Sequence, residues 1–500
     1  MFAKVSSVAV VGMDARPVDV EIDLGQGLPD FHVVGLPGAA VKEAPRRVRA
    51  AITNSGRSFP LRRVTANLAP GDLRKDGVLF DLPLAVGVLA AAGEKFPALD
   101  RYGLVGELTL DGNLRPIRGA LAAAIGARDQ GWEGLVVPMA NLPEAGLVSG
   151  LRVVGATHLR EVINFLKGGI LPVEPKRVTV AELLTGSAYS GPDLSEVRGQ
   201  AQALRALEIA AAGNHNVLLV GPPGCGKTMM ARRLPGILPP LTEPEALEAT
   251  RVWSVAGMLA PEQALVTERP FRAPHHHASA AAIIGGGSYL PRPGEISLAH
   301  RGVLFLDELP LFSRPVLEAL RQPLEEGTVR VVRQATRIEY PAEFCLVAAA
   351  NPCLCPGAGG AAGQCVCPPG RLDSYLSKLS GPLLDRIDLQ VEVPRLSQEE
   401  LFDLEPAEPS ALVRDRVLLA RAFRAKRLET DSDALTVSDL KPPARQFLRR
   451  ASGTVNASAR GVDRVVRVAR SIADLDAAEE ICEQHLAEAL QFRRPVWGAS

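Results

Sequence analysis

The rhythm of apolar and polar positions divides this chain into three stretches. In the first 170 residues, VSSVAVVGM and VDVEIDLG are β-rich runs with partial alternation, which predicts strands. Ala39 to Asn54 has helical spacing with one apolar face, and LPLAVGVLAAAG reads as a buried helix ending at Gly93. GLVGELTL, DGN and LRPI in succession predict a hairpin. From residue 198 to about 395 the short runs NVLLVG, GVLFLDE and FCLVAAANP are apolar throughout, the mark of strands buried on both faces of a parallel sheet. From 396 onward the period turns helical in ALVRDRVLLARAFRAKRL, DLKPPARQFLRRAS, RGVDRVVRVARSIADLD and AAEEICEQHLAEALQFRR.

These changes of rhythm predict an α/β protein of four parts. They are an α/β domain over 1–170, a Pro-, Gly- and Ser-rich linker over 171–197, a P-loop domain over 198–395 and a helical domain over 396–500.

Composition narrows the function classes. Lys and Arg together number 56, and Asp and Glu also number 56, so no global basic field exists and any nucleic-acid contact rests on local clusters. No apolar run approaches the about 18 residues that a membrane span needs, and the first residues read as a strand, not a signal peptide. Seven cysteines in 500 residues make no disulfide framework, so a cytoplasmic protein is expected.

The chemistry concentrates in the third quarter of the chain. Gly221, Pro222, Pro223, Gly224, Cys225, Gly226, Lys227 and Thr228 match a phosphate loop at every fixed position, between an apolar strand and the apparent helix TMMARRL. In such a loop the glycines let backbone amides close on phosphates, and the helix N-terminus adds its positive end. Lys227 is then placed for the β- and γ-phosphates and Thr228 for Mg²⁺. Val303–Leu306 is an apolar strand that delivers Asp307 and Glu308 at its C-terminal edge, where ligands of open parallel sheets bind. Asp307 fits the metal's outer shell and Glu308 fits the attacking water. Asn351 ends a third strand. It reads either as a γ-phosphate or water contact, or as a turn-forming Asn before Pro352.

These three segments, in this order, resemble the Walker A, Walker B and sensor 1 segments of AAA+ ATPases. FRAPHHHASAAAIIGGGSYLPRPGEISLAHRGVLFLDEL is similar to the magnesium-chelatase-like branch. The chain as a whole resembles the ComM/YifB family of DNA-processing motors. The resemblance implies ATP and Mg²⁺ as cofactors and a homo-hexamer on nucleotide or DNA binding. It implies action on single-stranded or branched DNA, as a helicase or branch-migration factor in recombination or natural transformation. It also implies that Arg386, in LLDRID, is an arginine finger acting on a neighbouring subunit, and that Arg460, in SAR, is the sensor 2 residue. A chelatase-type motor acting on a protein partner, or an ATP-dependent unfoldase, are the rival readings. A chelatase motor is expected to resemble only the later part of the chain.

The N-terminal block resembles a Lon-type protease domain without its catalytic pair. Val78, Leu79 and Phe80 occupy the serine region. No Lys occurs between Lys95 and Lys167, so the second segment offers only Arg115, Arg118 and apolar residues. A Ser–Lys dyad needs a hydroxyl and an amine that can lose its proton, and Arg cannot serve as that base.

Three clusters remain. Cys353, Cys355, Cys365 and Cys367 form two C-x-C pairs across a Gly-rich loop, which is either a four-thiolate Zn²⁺ site or four free thiols. His275, His276 and His277 have no Cys or acid near them in sequence to complete a metal site. Their place between the Walker motifs points to a subunit interface or to ATP sensing. Arg330, Arg333 and Arg337 fall on a hairpin before the third strand. They are either grips for the phosphates of DNA in a central pore or part of a solvated face.

Overall fold

A computed structural model of the chain describes residues 1–169, 178–186, 189–260, 263–287, 291–333, 336–353, 367–379, 381–429, 436–452 and 459–493. The first block is built on a four-stranded sheet in the order Phe2–Val11, Asp14–Gly25, Arg63–Ala69, Asp30–Val34, in which only the last pair is parallel. Strict alternation drives it: Val18, Val20, Ile22 and Leu24 all face the core. The helix Asp81–Ala91 is apolar on nearly every side and is buried accordingly. It lies close on the sheet because position 87 is glycine; a Cβ there would stand 2.7 Å from Ile22 Cγ1. Gly93, at φ 106°, follows the helix where the sequence expects its end. The expected hairpin also forms, pairing Glu107–Leu108 with Leu114–Arg115. A three-stranded parallel sheet, Tyr102–Leu104, Gly134–Pro138 and Arg152–Ala156, completes the block.

The second unit is a five-stranded, all-parallel sheet in the order Phe271–Arg272, Val303–Leu306, Cys345–Ala350, Val217–Val220, Leu389–Glu392. Its three central strands, Val303–Leu306, Cys345–Ala350 and Val217–Val220, are apolar throughout because both faces are covered. Val217, Leu219, Phe305, Val347 and Val391 point into one core, while Leu218, Val220, Leu306, Leu346 and Ala350 point into another. Register matters for function. Val220 is level with Ala350, and Leu306 with Ala348, so the residues that follow these strands emerge along one edge.

The tail is helical, as its period predicts: Ser410–Leu428, Pro442–Ser452, Ala459–Leu475 and Glu483–Gln491. It does not have a core to itself. Val417, Leu448, Val466, Ile472 and Phe492 pack in one cluster with Ala206, Leu207 and the sheet. The stretch expected to be a linker is also partly built in. Val180 is buried against Leu241 and Ala246, and Leu194 and Val197 lie in the sheet's core.

One buried ionic knot ties the tail to the sheet. Asp388 accepts hydrogen bonds from Asn216 N at 3.0 Å and Arg464 Nη1 at 2.7 Å, and His215 Nδ1 lies 3.7 Å away. Burial by itself would raise this carboxyl. The hydrogen bond and charge of His215, the charge of Arg464 and the Asn216 amide outweigh that and hold it at about 2. A carboxyl depressed in the folded state stabilises above its unfolded value, near 4, and that stability is lost as pH falls toward about 2. Asp388→Asn leaves Arg464 half-buried without its counter-charge. It is expected to cost about 3–5 kcal/mol, read as a lower urea midpoint at pH 7, and to flatten the acid limb of the stability curve.

Candidate nucleotide site

The strand Val217–Val220 runs into a loop that only glycine permits at two points: Gly224 has φ 79° and Gly226 φ 93°. Gly221 is needed for a different reason, since a Cβ there would stand 2.2 Å from Val393 O. The helix that follows is only Lys227–Ala231, ending before a second short helix that carries Pro235. A helix of five residues adds little dipole. The loop's own amides and Lys227 supply the rest of what a phosphate would meet here.

Lys227 is 7% exposed. Its Nζ donates to Gly221 O at 2.7 Å, Pro222 O at 2.8 Å and Asn351 Oδ1 at 3.1 Å, and it lies 3.6 Å from Cys225 Sγ. The three oxygen partners are neutral amide and carbonyl groups. A buried ammonium with only neutral partners is a strong site for an anion. Asn351 thus stands at the loop. Tyr375 holds it there by donating to Asn351 O at 3.1 Å, and burial pushes the Tyr375 phenol up to about 12.

Thr228 Oγ1 donates to Asp307 Oδ2 at 2.8 Å, and Glu308 N donates to Asp307 Oδ1 at 2.9 Å. A hydroxyl and a carboxylate in contact are a hard oxygen donor set that suits Mg²⁺. Glu308 takes up left-handed backbone, φ 52°. Such a conformation is uncommon for a residue with a Cβ and clusters at functional sites. It turns the carboxylate toward the segment that follows the edge strand Phe271–Arg272, where His276 Nδ1 lies 3.2 Å from Glu308 Oε2. Burial and the neighbouring His275 and His277 lower the basicity of His276, while Glu308 and Asp307 oppose them.

The structure does not bring every expected residue to this edge. Arg386 is largely buried; it donates to Pro382 O and pairs with Glu325. Arg460 is 78% exposed, with Nη1 4.0 Å from the same Glu325 oxygen. Among the described residues neither contacts the chain's own phosphate loop. The hairpin Thr328–Arg333 with Thr336–Pro341 forms, with one face in the core through Val329, Val331, Ile338 and Tyr340. Arg330 and Arg337 are on its exposed face. Arg330 is held by Glu339 at 2.9 Å and Glu326 at 3.2 Å, so its charge is partly neutralised. The Arg333 side chain lies outside the described residues. So do Cys355 and Cys365; Cys353 and Cys367 pack together with Leu372. In the first block, Val78, Leu79 and Arg118 line one cleft of 860 Å³ with Asp76 and Glu107. Pro291, Arg292 and Tyr340 of the second unit line the same cleft.

Sequence reasoning missed two partners. Tyr375 carries no local signal. The His276–Glu308 pair had one, because the His segment precedes a strand that neighbours the acid-bearing strand, but only the sheet order makes it a contact.

Three sequence families match the chain. The one described as magnesium chelatase, subunit ChlI, matches residues 193–401, that described as subunit ChlI of Mg-chelatase matches 20–141, and the C-terminal part of ChlI matches 407–493. An uncharacterized protein of Mycobacterium tuberculosis H37Rv is 46% identical over 499 residues, covering 98% of each chain. YifB of Escherichia coli K12, also uncharacterized, is 44% identical over 498 residues, 97% of this chain and 96% of its own. Competence protein ComM of Haemophilus influenzae is 43% identical over 509 residues, 99% of this chain and 98% of its own. The magnesium-chelatase 38 kDa subunit of Rhodobacter capsulatus, by contrast, is 26% identical and aligns with 58% of this chain.

Proposed function

Because the chain belongs to the ComM/YifB family of magnesium-chelatase-like AAA+ ATPases, we propose that it hydrolyses ATP and uses the energy to move along DNA as a ring, a homo-hexamer by family resemblance. The observation that carries the ATPase step is the convergence of Lys227, Thr228, Asp307 and Asn351 on one edge of the parallel sheet. Lys227 and the loop amides bind and orient the phosphates. Mg²⁺ would be held by Thr228 and, through its waters, by Asp307, and would neutralise phosphate charge. Asn351 and Glu308 position the attacking water, with Glu308 drawing its proton. Arg386 reaches the γ-phosphate of the neighbouring subunit and offsets the charge that builds there. Arg460 acts as the sensor of the lid. An arginine acting in trans requires a head-to-tail contact that repeats until the ring closes.

The DNA step has two supports. One is nearly full-length likeness to a protein named for competence, the state in which bacteria take up DNA. The other is the exposed hairpin face carrying Arg330 and Arg337. A chelatase-type motor remains the rival, since all three family descriptions name that enzyme. The match over residues 20–141 removes the argument that chelatase likeness stops at the later part of the chain. What favours the DNA reading is extent: 43% identity to the competence protein over 99% of the chain against 26% to the chelatase subunit over 58% of it.

ATP turnover should rise with single-stranded DNA, forked DNA or a four-way junction over the rate with no DNA, and the stimulation should fall as salt rises. Equal rates under all four conditions reject the DNA motor. Replacing Arg330, Arg333 and Arg337 together with Ala should reduce the DNA-stimulated part and leave the basal rate. An unchanged stimulation would move the grip elsewhere on the chain.

A further inference from the structure

His275, His276 and His277 are consecutive, and in an extended strand consecutive side chains would point to opposite sides. Here the backbone turns instead. Ala278 N donates to His275 O at 2.8 Å, and His277 N donates to His275 Nδ1 at 3.3 Å. The three rings are gathered as a result, with centroids 4.2, 4.4 and 5.2 Å apart. One nitrogen from each ring lies within 4.8 Å of the others. A tetrahedral zinc with bonds of about 2.0–2.1 Å spaces its ligands about 3.4 Å apart. The rings therefore need to close by about an ångström, which the exposed His275 and His277 can do by side-chain rotation. The acid that the sequence lacked locally arrives from the next strand, as Glu308 Oε2 is 3.2 Å from His276 Nδ1. Three imidazoles and one carboxylate are a donor set for borderline transition metals, and a poor one for Mg²⁺, which prefers oxygen.

We propose that His275, His276, His277 and Glu308 form a site for a zinc-class transition-metal ion, whose binding switches off ATP hydrolysis by taking Glu308 away from the attacking water. The switch rests on the reading of Glu308 as the group that activates that water; the ligand set rests on geometry alone. Two ligands are exposed, which gives the ion a path of entry. The site differs from the cysteine cluster in donor chemistry, and so can be told apart from it.

The full-length chain, stripped of metal, is titrated with Co²⁺ and read by absorption. Zn²⁺ affinity is then measured by competition with a chromophoric chelator, and ATP turnover is measured at saturating Mg²⁺ with and without Zn²⁺. The comparison protein is His275→Ala/His277→Ala, whose replaced side chains lie on the surface and whose inhibition by Zn²⁺ is read relative to its own turnover in Mg²⁺ alone. The expected result is a tetrahedral cobalt spectrum without thiolate charge-transfer bands and loss of turnover in Zn²⁺. In the double variant, Zn²⁺ should bind and inhibit more than about tenfold more weakly, since even outer-shell losses cost roughly 10–100-fold in affinity. Equal binding and inhibition in the two proteins, or a purely thiolate spectrum, overturns the site. Binding that the double variant loses, without inhibition of the parent, overturns the switch. Turnover by Glu308→Gln, measured alongside, tests the reading of Glu308 separately from either.

Discussion

Glu308→Gln is expected to stop steady-state ATP hydrolysis while the protein still binds ATP, and Lys227→Ala is expected to lose the binding itself. The two outcomes separate because the two side chains act on different events. Lys227 is a buried cation whose described partners are the neutral Gly221 O, Pro222 O and Asn351 Oδ1, so its free-energy contribution is to an anion in the loop. Removing a charged hydrogen-bond donor of this kind costs about 1.5–3 kcal/mol, or roughly 10–100-fold in affinity. Glu308 makes no contact with the loop among the described residues; its carboxylate sits with His276 at the sheet's edge. Gln keeps its shape and loses only the ability to take a proton, so turnover should fall by roughly 10²–10⁴-fold. A fluorescent ATP analogue reads the first event and phosphate release reads the second. Normal turnover by Glu308→Gln would remove Glu308 from the mechanism. Tight ATP binding by Lys227→Ala would do the same for the loop.

Arg386→Ala is the second large effect, with turnover down by about 10³-fold or more while ATP binding is nearly intact. Within the single chain Arg386 has a partner of its own. It pairs with Glu325, and its Nε is buried without a hydrogen-bond partner among the described residues. A purely structural arginine would lose stability on truncation and little else. Mixing decides the matter. Arg386→Ala subunits have an intact loop, and Lys227→Ala subunits have an intact arginine. Where the first meets the second in a ring, one complete composite site forms, so mixed rings should exceed the activity of either parent. If they do not, the action in trans loses its support, and Arg386 is left as the partner of Glu325.

The sequence by itself determined the local features of this protein. The phosphate loop is legible because its strained turns accept only glycine at Gly224 and Gly226, and because Lys227 and Thr228 must follow directly. The strands at Val217, Val303 and Cys345 are legible because a sheet covered on both faces writes an unbroken apolar run. Ala39–Asn54 is legible to the residue through its helical period. Only the tertiary structure decided what stands beside what. Thr228 meets Asp307 across 79 positions, and Lys227 meets Asn351 across 124. Order and register in the sheet set those distances, and neither is written in any one strand. The same reason explains why the acid near the three histidines went unseen, and why Arg386 and Arg460 share Glu325. It explains the tail as well: an amphipathic helix declares that one face will be buried, but not against what, and here the partner is the sheet's own core.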